Sequence, residues 1–144
     1  MEKPDKRIVD FIKEHHVLTL ATSKNNKAYC ANCFYTYIPD ENIFVFTSDA
    51  ETKHAQDATK NDDVAASIVL ETKTVGKIQG IQLTGKMYRP EAELLKKAKK
   101  AYLKAFPYAA LMKTTLWVIK PRFIKMTHNT LGFGKKLIWG SIDD

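Results

Sequence analysis

The stretch FTSDAETKHAQ, residues 46 to 56, carries the residue types that hold an anion. Ser48 and Glu51 stand in the S-x-x-E spacing of a capping box, which predicts a helix starting directly after Ser48. Thr47 and Ser48 would then lie at a helix N-terminus, where unpaired backbone N–H groups and the positive dipole end favour a phosphate. Lys53 and His54 follow within a turn and a half. A lysine is disfavoured at that end of a helix by about 0.3 to 1 kcal/mol, and a bound phosphate reverses the sign. The same residues also read as a capped surface helix with one solvated lysine, and the spacing leaves both readings open.

Three other groupings could bear chemistry. Cys30 and Cys33 form a C-x-x-C in YCANCFY, the spacing of a redox dithiol or of half a zinc site. No second pair supplies the remaining zinc ligands, and in a strand positions i and i+3 point to opposite faces, so these read as ordinary strand cysteines. Lys96, Lys97, Lys99, Lys100 and Lys104 cluster in one predicted helix and could attract nucleic-acid phosphates. No nucleic-acid motif accompanies them, and the chain has only three arginines, Arg7, Arg89 and Arg122, so a solvated face is the expectation. Finally, HNTLGFGKKLIWG, residues 128 to 140, resembles a fragment of a dinucleotide loop, but Leu137 replaces the last glycine and no βαβ unit follows. It shows neither a strand's alternation nor room for a long helix. Its Phe133, Leu137 and Trp139 with Lys135 and Lys136 suggest a ligand lid, a subunit contact, or a tail packed over the protein's own open end. No G-x-S-x-G elbow or H-E-x-x-H motif is present, so chemistry would belong to a cofactor.

The elements that must position these residues are mostly strands. An opening helix follows Pro4 and Asp5, with Ile8, Val9, Phe11 and Ile12 as its apolar stripe. VLTLAT (17 to 22) and AYCANCFYTYI (28 to 38) read as a hairpin around SKNNK, and IFVFTS (43 to 48) follows the turn IPDEN. DVAASIVL (63 to 70) is a fourth strand. The segment 74 to 89 alternates from Lys77 onward, with glycines that suggest bends or bulges. Pro90 opens and Pro107 stops a helix whose stripe includes Leu94, Ala98, Tyr102 and Phe106. LWVIKP (116 to 121) and FIKMT (123 to 127) are read as separate final strands. The result is a mainly β chain with flanking helices: an antiparallel barrel of six to seven strands rather than a βαβ sheet.

Composition sets the outer bounds. With 144 residues, 44% apolar and 27% charged, the chain suits one domain over 1 to 144, with a tail over 128 to 144. The N-terminus is charged throughout, and no run approaches the roughly 20 apolar residues that span a bilayer, so a cytoplasmic protein off the membrane is expected. The net charge of +7 suits an anionic ligand or simple solubility.

Four segments together, VLTLAT leading to YCANCFY, FTSDAETKHAQ, KIQGIQLTGK and HNTLGFGKKLIWG, resemble the bacterial YhbP family, a branch of the pyridoxamine phosphate oxidase-like FMN-binding split-barrel proteins. The resemblance covers nearly the whole chain. It implies a split barrel, a homodimer with two FMN sites at its interface, and a flavin-dependent oxidoreductase of unknown substrate; a non-catalytic module holding flavin or haem is the alternative. By position it implies Thr47, Ser48, Lys53 and His54 at the FMN phosphate, and Ala31, Asn32, Cys33 and Phe34 along the isoalloxazine. Gln79, Gly80 and Gln82 would lie near the flavin. The tail over 130 to 139 would close over it, Trp139 stacking and Lys135 making a polar contact. A catalytic residue is not assigned, and no metal is expected.

Overall fold

A computed structural model describes residues 2 to 142. The first helix, α1 (Lys6–Glu14), is started by Asp5, whose carboxylate accepts from the Arg7 amide at 2.8 Å, and it buries Ile8, Phe11 and Ile12. Strands β1 (Val17–Lys24) and β2 (Lys27–Ile38) form a hairpin closed by Asn25 and Asn26, both at positive φ (51° and 64°). Two adjacent left-handed residues match the right-handed twist of the flanking strands, which is why asparagines stand there. A second turn, with the Asn42 amide donating to the Pro39 carbonyl at 3.1 Å, leads into β3 (Ile43–Ser48).

After β3 come α2 (Lys53–Lys60), β4 (Asp63–Val69), β5 (Gln79–Tyr88), α3 (Ala92–Ala105), β6 (Thr115–His128) and β7 (Lys136–Gly140). The strands form one antiparallel sheet in the order β3-β2-β1-β4-β5-β6-β7, and a further pairing of β3 with β6 closes the first six into a barrel. The expected antiparallel barrel with flanking helices is therefore the observed architecture. Inward residues such as Leu18, Leu20, Tyr35, Phe44, Phe46, Ile81 and Met126 fill it, with α1 and α2 contributing from the ends.

Three sequence expectations change. The helix does not start after Ser48: α2 begins at Lys53, and Thr52 is its cap, its hydroxyl accepting from the Ala55 amide at 3.3 Å. Residues 116 to 127 are one strand, not two. Pro121 is tolerated because it sits at a bulge: Gly85 pairs with Pro121 and Thr84 with Phe123, leaving Arg122 unmatched. The tail contains a strand after all, since β7 pairs with the end of β6 and turns Leu137 and Trp139 inward and Lys136 and Ile138 outward.

The bulge rests on Gly85. A Cβ there would overlap the Lys120 carbonyl and lie 2.8 Å from the Pro121 Cα, both of them backbone that cannot swing aside. Gly85→Ala is expected to destabilise the fold by about 2 to 3 kcal/mol, in the range of overpacked cores, and to lower Tm by roughly 6 to 10 °C in a thermal melt.

The outer face of the sheet is divided. Over β2, β3 and the start of β6 it is covered by α3, whose Ala98 and Tyr102 pack on Ile38, Ile43, Val45 and Val118. Over β1, β4, β5 and the end of β6 no helix among the described residues covers it, and Val17 (45%), Val69 (67%) and Ile138 (63%) stand exposed.

Candidate functional site

The end of β3, the middle of β2 and the first turn of α2 meet at one edge of the barrel. Alternation along β3 sends Ser48 inward and Thr47 outward. The Ser48 hydroxyl lies 2.8 Å from His54 Nε2, and its carbonyl accepts from the Trp117 indole N–H at 3.0 Å. Thr52 Oγ1 is 3.3 Å from the same imidazole nitrogen and donates to the Asp49 carbonyl at 2.8 Å. Burial holds the His54 pKa below its ordinary value, with Asp57 pulling the other way, which favours the neutral ring. Cys33 also faces this cluster from β2, and burial pushes its thiol pKa up despite a hydrogen bond with Ser48.

Lys53 is the cation of the site. Its Nζ lies 2.9 and 3.2 Å from the two carboxylate oxygens of Asp57 and 5.0 Å from the centre of the Tyr29 ring. Asp57 is buried and also receives the Thr22 hydroxyl at 3.4 Å; its pKa is held below the usual carboxylate range, first by the hydrogen bond from Lys53. The lysine side chain is 54% exposed, so one side of the ammonium is tethered and the other faces outward. A lysine at the start of a helix with its acid four residues later is the less stable order for such a pair.

Alternation in β2 divides the run Ala31 to Phe34. Ala31 and Cys33 point inward, while Asn32 and Phe34 point out. Asn32 accepts from the Thr19 hydroxyl at 2.8 Å, and the half-exposed Phe34 ring lies 5.8 Å from Phe106, the residue that caps α3. A flat ligand along this stretch would meet side chains of the outer pair and the peptide edge, not all four side chains. Thr47, also on the outer face, donates to the Tyr102 hydroxyl at 3.3 Å.

The fold thus brings Cys33, Ser48 and His54 together on the inner side and Phe34 and Thr47 together, through Tyr102, on the outer side, with the Lys53 side chain against Asp57 and Tyr29. Gln79, Gly80 and Gln82 lie on β5, with β1 and β4 between them and β2, about 14 Å across at ordinary strand spacing. Gln82 does share a row with Asn32: the register runs Asn32, Thr19, Ser67, Gln82, Lys125, Ile138 across the uncovered face. Lys135 sits in the turn before β7, its amide donating to Gly132 at 2.9 Å. Trp139 points inward, and its indole N–H donates to the Glu2 carbonyl at 2.6 Å. Within one chain neither tail residue reaches the β2–β3–α2 edge.

Sequence reasoning missed Asp57, Tyr29 and Thr52. Asp57 was accessible as the i+4 partner of Lys53; Tyr29 and Thr52 depended on where the helix starts and how it lies over the hairpin. The C-x-x-C pair behaves as its spacing predicts, with Cys30 exposed and Cys33 buried. At most one thiol per native chain is expected to react quickly with an aromatic disulfide reagent, with Cys33 released only on unfolding; two fast thiols would contradict this placement. Among the described residues no group of three or more His, Cys, Asp or Glu could hold a metal ion, and no helix is long and apolar enough to cross a membrane.

No family model matches the chain. It is 40% identical over 129 residues to a UPF0306 protein of Photorhabdus laumondii, covering 90% of each, and 37% identical over 129 residues to the UPF0306 protein YhbP of Escherichia coli O157:H7, covering 90% of this chain and 88% of that one. Among solved structures, a haem-binding protein from Mycobacterium smegmatis superposes with a TM-score of 0.78 at 17% identity, covering 97% of this chain and 60% of that one. A candidate pyridoxamine 5'-phosphate oxidase from Listeria innocua gives 0.68 at 12% identity (87% and 98%), and a FAD-binding protein from Mesorhizobium loti 0.69 at 12% (84% and 91%). These likenesses identify the fold as the split barrel of the pyridoxamine phosphate oxidase type.

Proposed function

The chain belongs to the UPF0306 family, and from that premise we propose that it binds FMN at a seam between two copies and acts as a flavin-dependent oxidoreductase. The observation that carries the reading is the strand-end and helix-start cluster of Thr47, Ser48, Lys53 and His54 beside the β2 segment Ala31 to Phe34. Its donor set fits a phosphate: the Ser48 hydroxyl, the Thr47 backbone at the strand end, a half-exposed ammonium and the first turn of a helix.

In this reading the Lys53 ammonium, bonded on one side to Asp57, turns its outward side to the phosphate. His54 and Ser48 hold each other and close the inner wall, and Asn32 and Phe34 present the outer wall to the ring. Bound FMN supplies hydride or electron transfer at its ring, and the chain supplies orientation and a shaped pocket.

The second copy comes from the uncovered face. Exposed Val17, Val69 and Ile138 surround small residues, Ala21, Ala65 and Ser67, and a face with these properties suits a partner. A second copy docked here would bring Gly80, Gln82 and Gln79 of β5 toward the first copy's flavin. Lys135 would be the tail's polar contact, and Trp139 would seat β7 from within.

Fluorescence titration of the purified protein with FMN, with FAD and haem in parallel, tests this. Selective micromolar FMN binding, followed by reduction with NADH or NADPH, is the expected result. Flavin binding without turnover would leave a carrier, and preference for haem, or no binding, would overturn the flavoenzyme reading.

A further inference from the structure

A separate cavity of about 400 Å³ lies between the C-terminal half of α3, the segment 107 to 114 and the paired residues Thr47 and Leu116 on the outer face of β3 and β6. Its shape follows from the chain. Pro107 stops α3, a 3-10 turn over Pro107–Leu111 reverses direction, and the return to β6 leaves a gap that the turn roofs without filling.

The charges around the cavity are of one sign. Lys99 and Lys113 line it, and among the described residues no carboxylate does. Neither lysine has an ion-pair partner among the described residues, whereas Lys96 pairs with Glu93 at 3.3 Å and Lys97 with Glu41 and Asp40 at 3.2 and 3.3 Å. The inner polar groups are already committed. The Tyr102 hydroxyl receives Thr47 and donates to the Phe34 carbonyl at 3.4 Å, which leaves the two ammonium groups and the Thr114 hydroxyl as donors. The rest of the lining includes Leu103, Met112 and Leu116, and Met112 is 60% exposed, an adaptable side chain on the rim.

An apolar cavity of this size lined by donors of one sign has the make-up of a small-molecule site. We infer that it binds a small amphipathic organic anion, an aromatic or short aliphatic carboxylate or sulfonate. The charged end lies between Lys99 and Lys113, and the body lies against Leu103, Met112 and Leu116. The inference goes beyond the flavin reading and does not depend on it, although Thr47 is a wall common to both sites.

The test uses 8-anilinonaphthalene-1-sulfonate, an aromatic sulfonate, against the uncharged N-phenyl-1-naphthylamine of similar shape. Saturable one-to-one binding of the sulfonate is expected, at least 10-fold tighter than the neutral compound. Lys99→Glu combined with Lys113→Glu should weaken it at least 10-fold, and the same charge change at exposed Lys27→Glu and Lys73→Glu should alter it less than 2-fold. Equal loss in both double variants, or none in the first, would overturn the proposal. Competitive displacement by FMN would also overturn it, by making the cavity part of the flavin site. Because the readout needs no flavin, a protein that binds no FMN still answers the question.

Discussion

Ala65→Arg is expected to leave the chain folded but monomeric, and to abolish flavin binding. Ala65 lies in mid β4 with its side chain on the uncovered face, between Ala21 and Thr84 in the register, so the core does not feel the change. Against a second copy the guanidinium would be buried without a carboxylate, at a cost of about 3 to 5 kcal/mol. That weakens the dimer by about 100- to 1,000-fold or more, and the substitution occurs in both copies. Light scattering behind a sizing column reads the oligomer, and the FMN titration reads the site. A variant that remained dimeric with unchanged flavin affinity would place the seam on another surface.

Lys53→Ala should weaken FMN binding about 10- to 150-fold, the loss of one hydrogen bond to a charged group worth about 1.5 to 3 kcal/mol. The structure supplies the necessary control, because Lys53 also neutralises the buried Asp57. Asp57→Asn keeps a polar group of the same shape beside Thr22 while freeing the ammonium, so it should bind FMN at least as well as the parent chain. A loss of equal size in both variants would assign the effect to the α2 start rather than to contact with the phosphate. Unchanged affinity in Lys53→Ala would move the phosphate elsewhere.

These two expectations depend on different levels of information. Lys53 was legible as a cation near a helix start, because that inference needs only the spacing of FTSDAETKHAQ. The proposed seam was not, because which part of the sheet's outer face is left uncovered depends on where α3 packs. The helix start was misplaced by the Ser48–Glu51 spacing: the capping-box pattern is short, and the chain makes a tight turn at Asp49 before Thr52 takes the cap.

What the amino-acid order determined by itself is local. β-Branched and aromatic runs bounded by turn residues located β1 to β4, period-two alternation located β5, and the three- and four-residue stripe located α3, all of which depend on neighbours within a few positions. The opposite facing of Cys30 and Cys33 came from the same periodicity. The tertiary structure decided the rest. Pro121 could stay within β6 only because Gly85, 36 positions earlier, admits a bulge against it. β7 exists because β6 offers its edge, and Lys99 meets Lys113 across a cavity because β3 and β6 close the barrel beneath them. Each of these is a pairing between distant segments, and its free energy resides in contacts that no local window of residues contains.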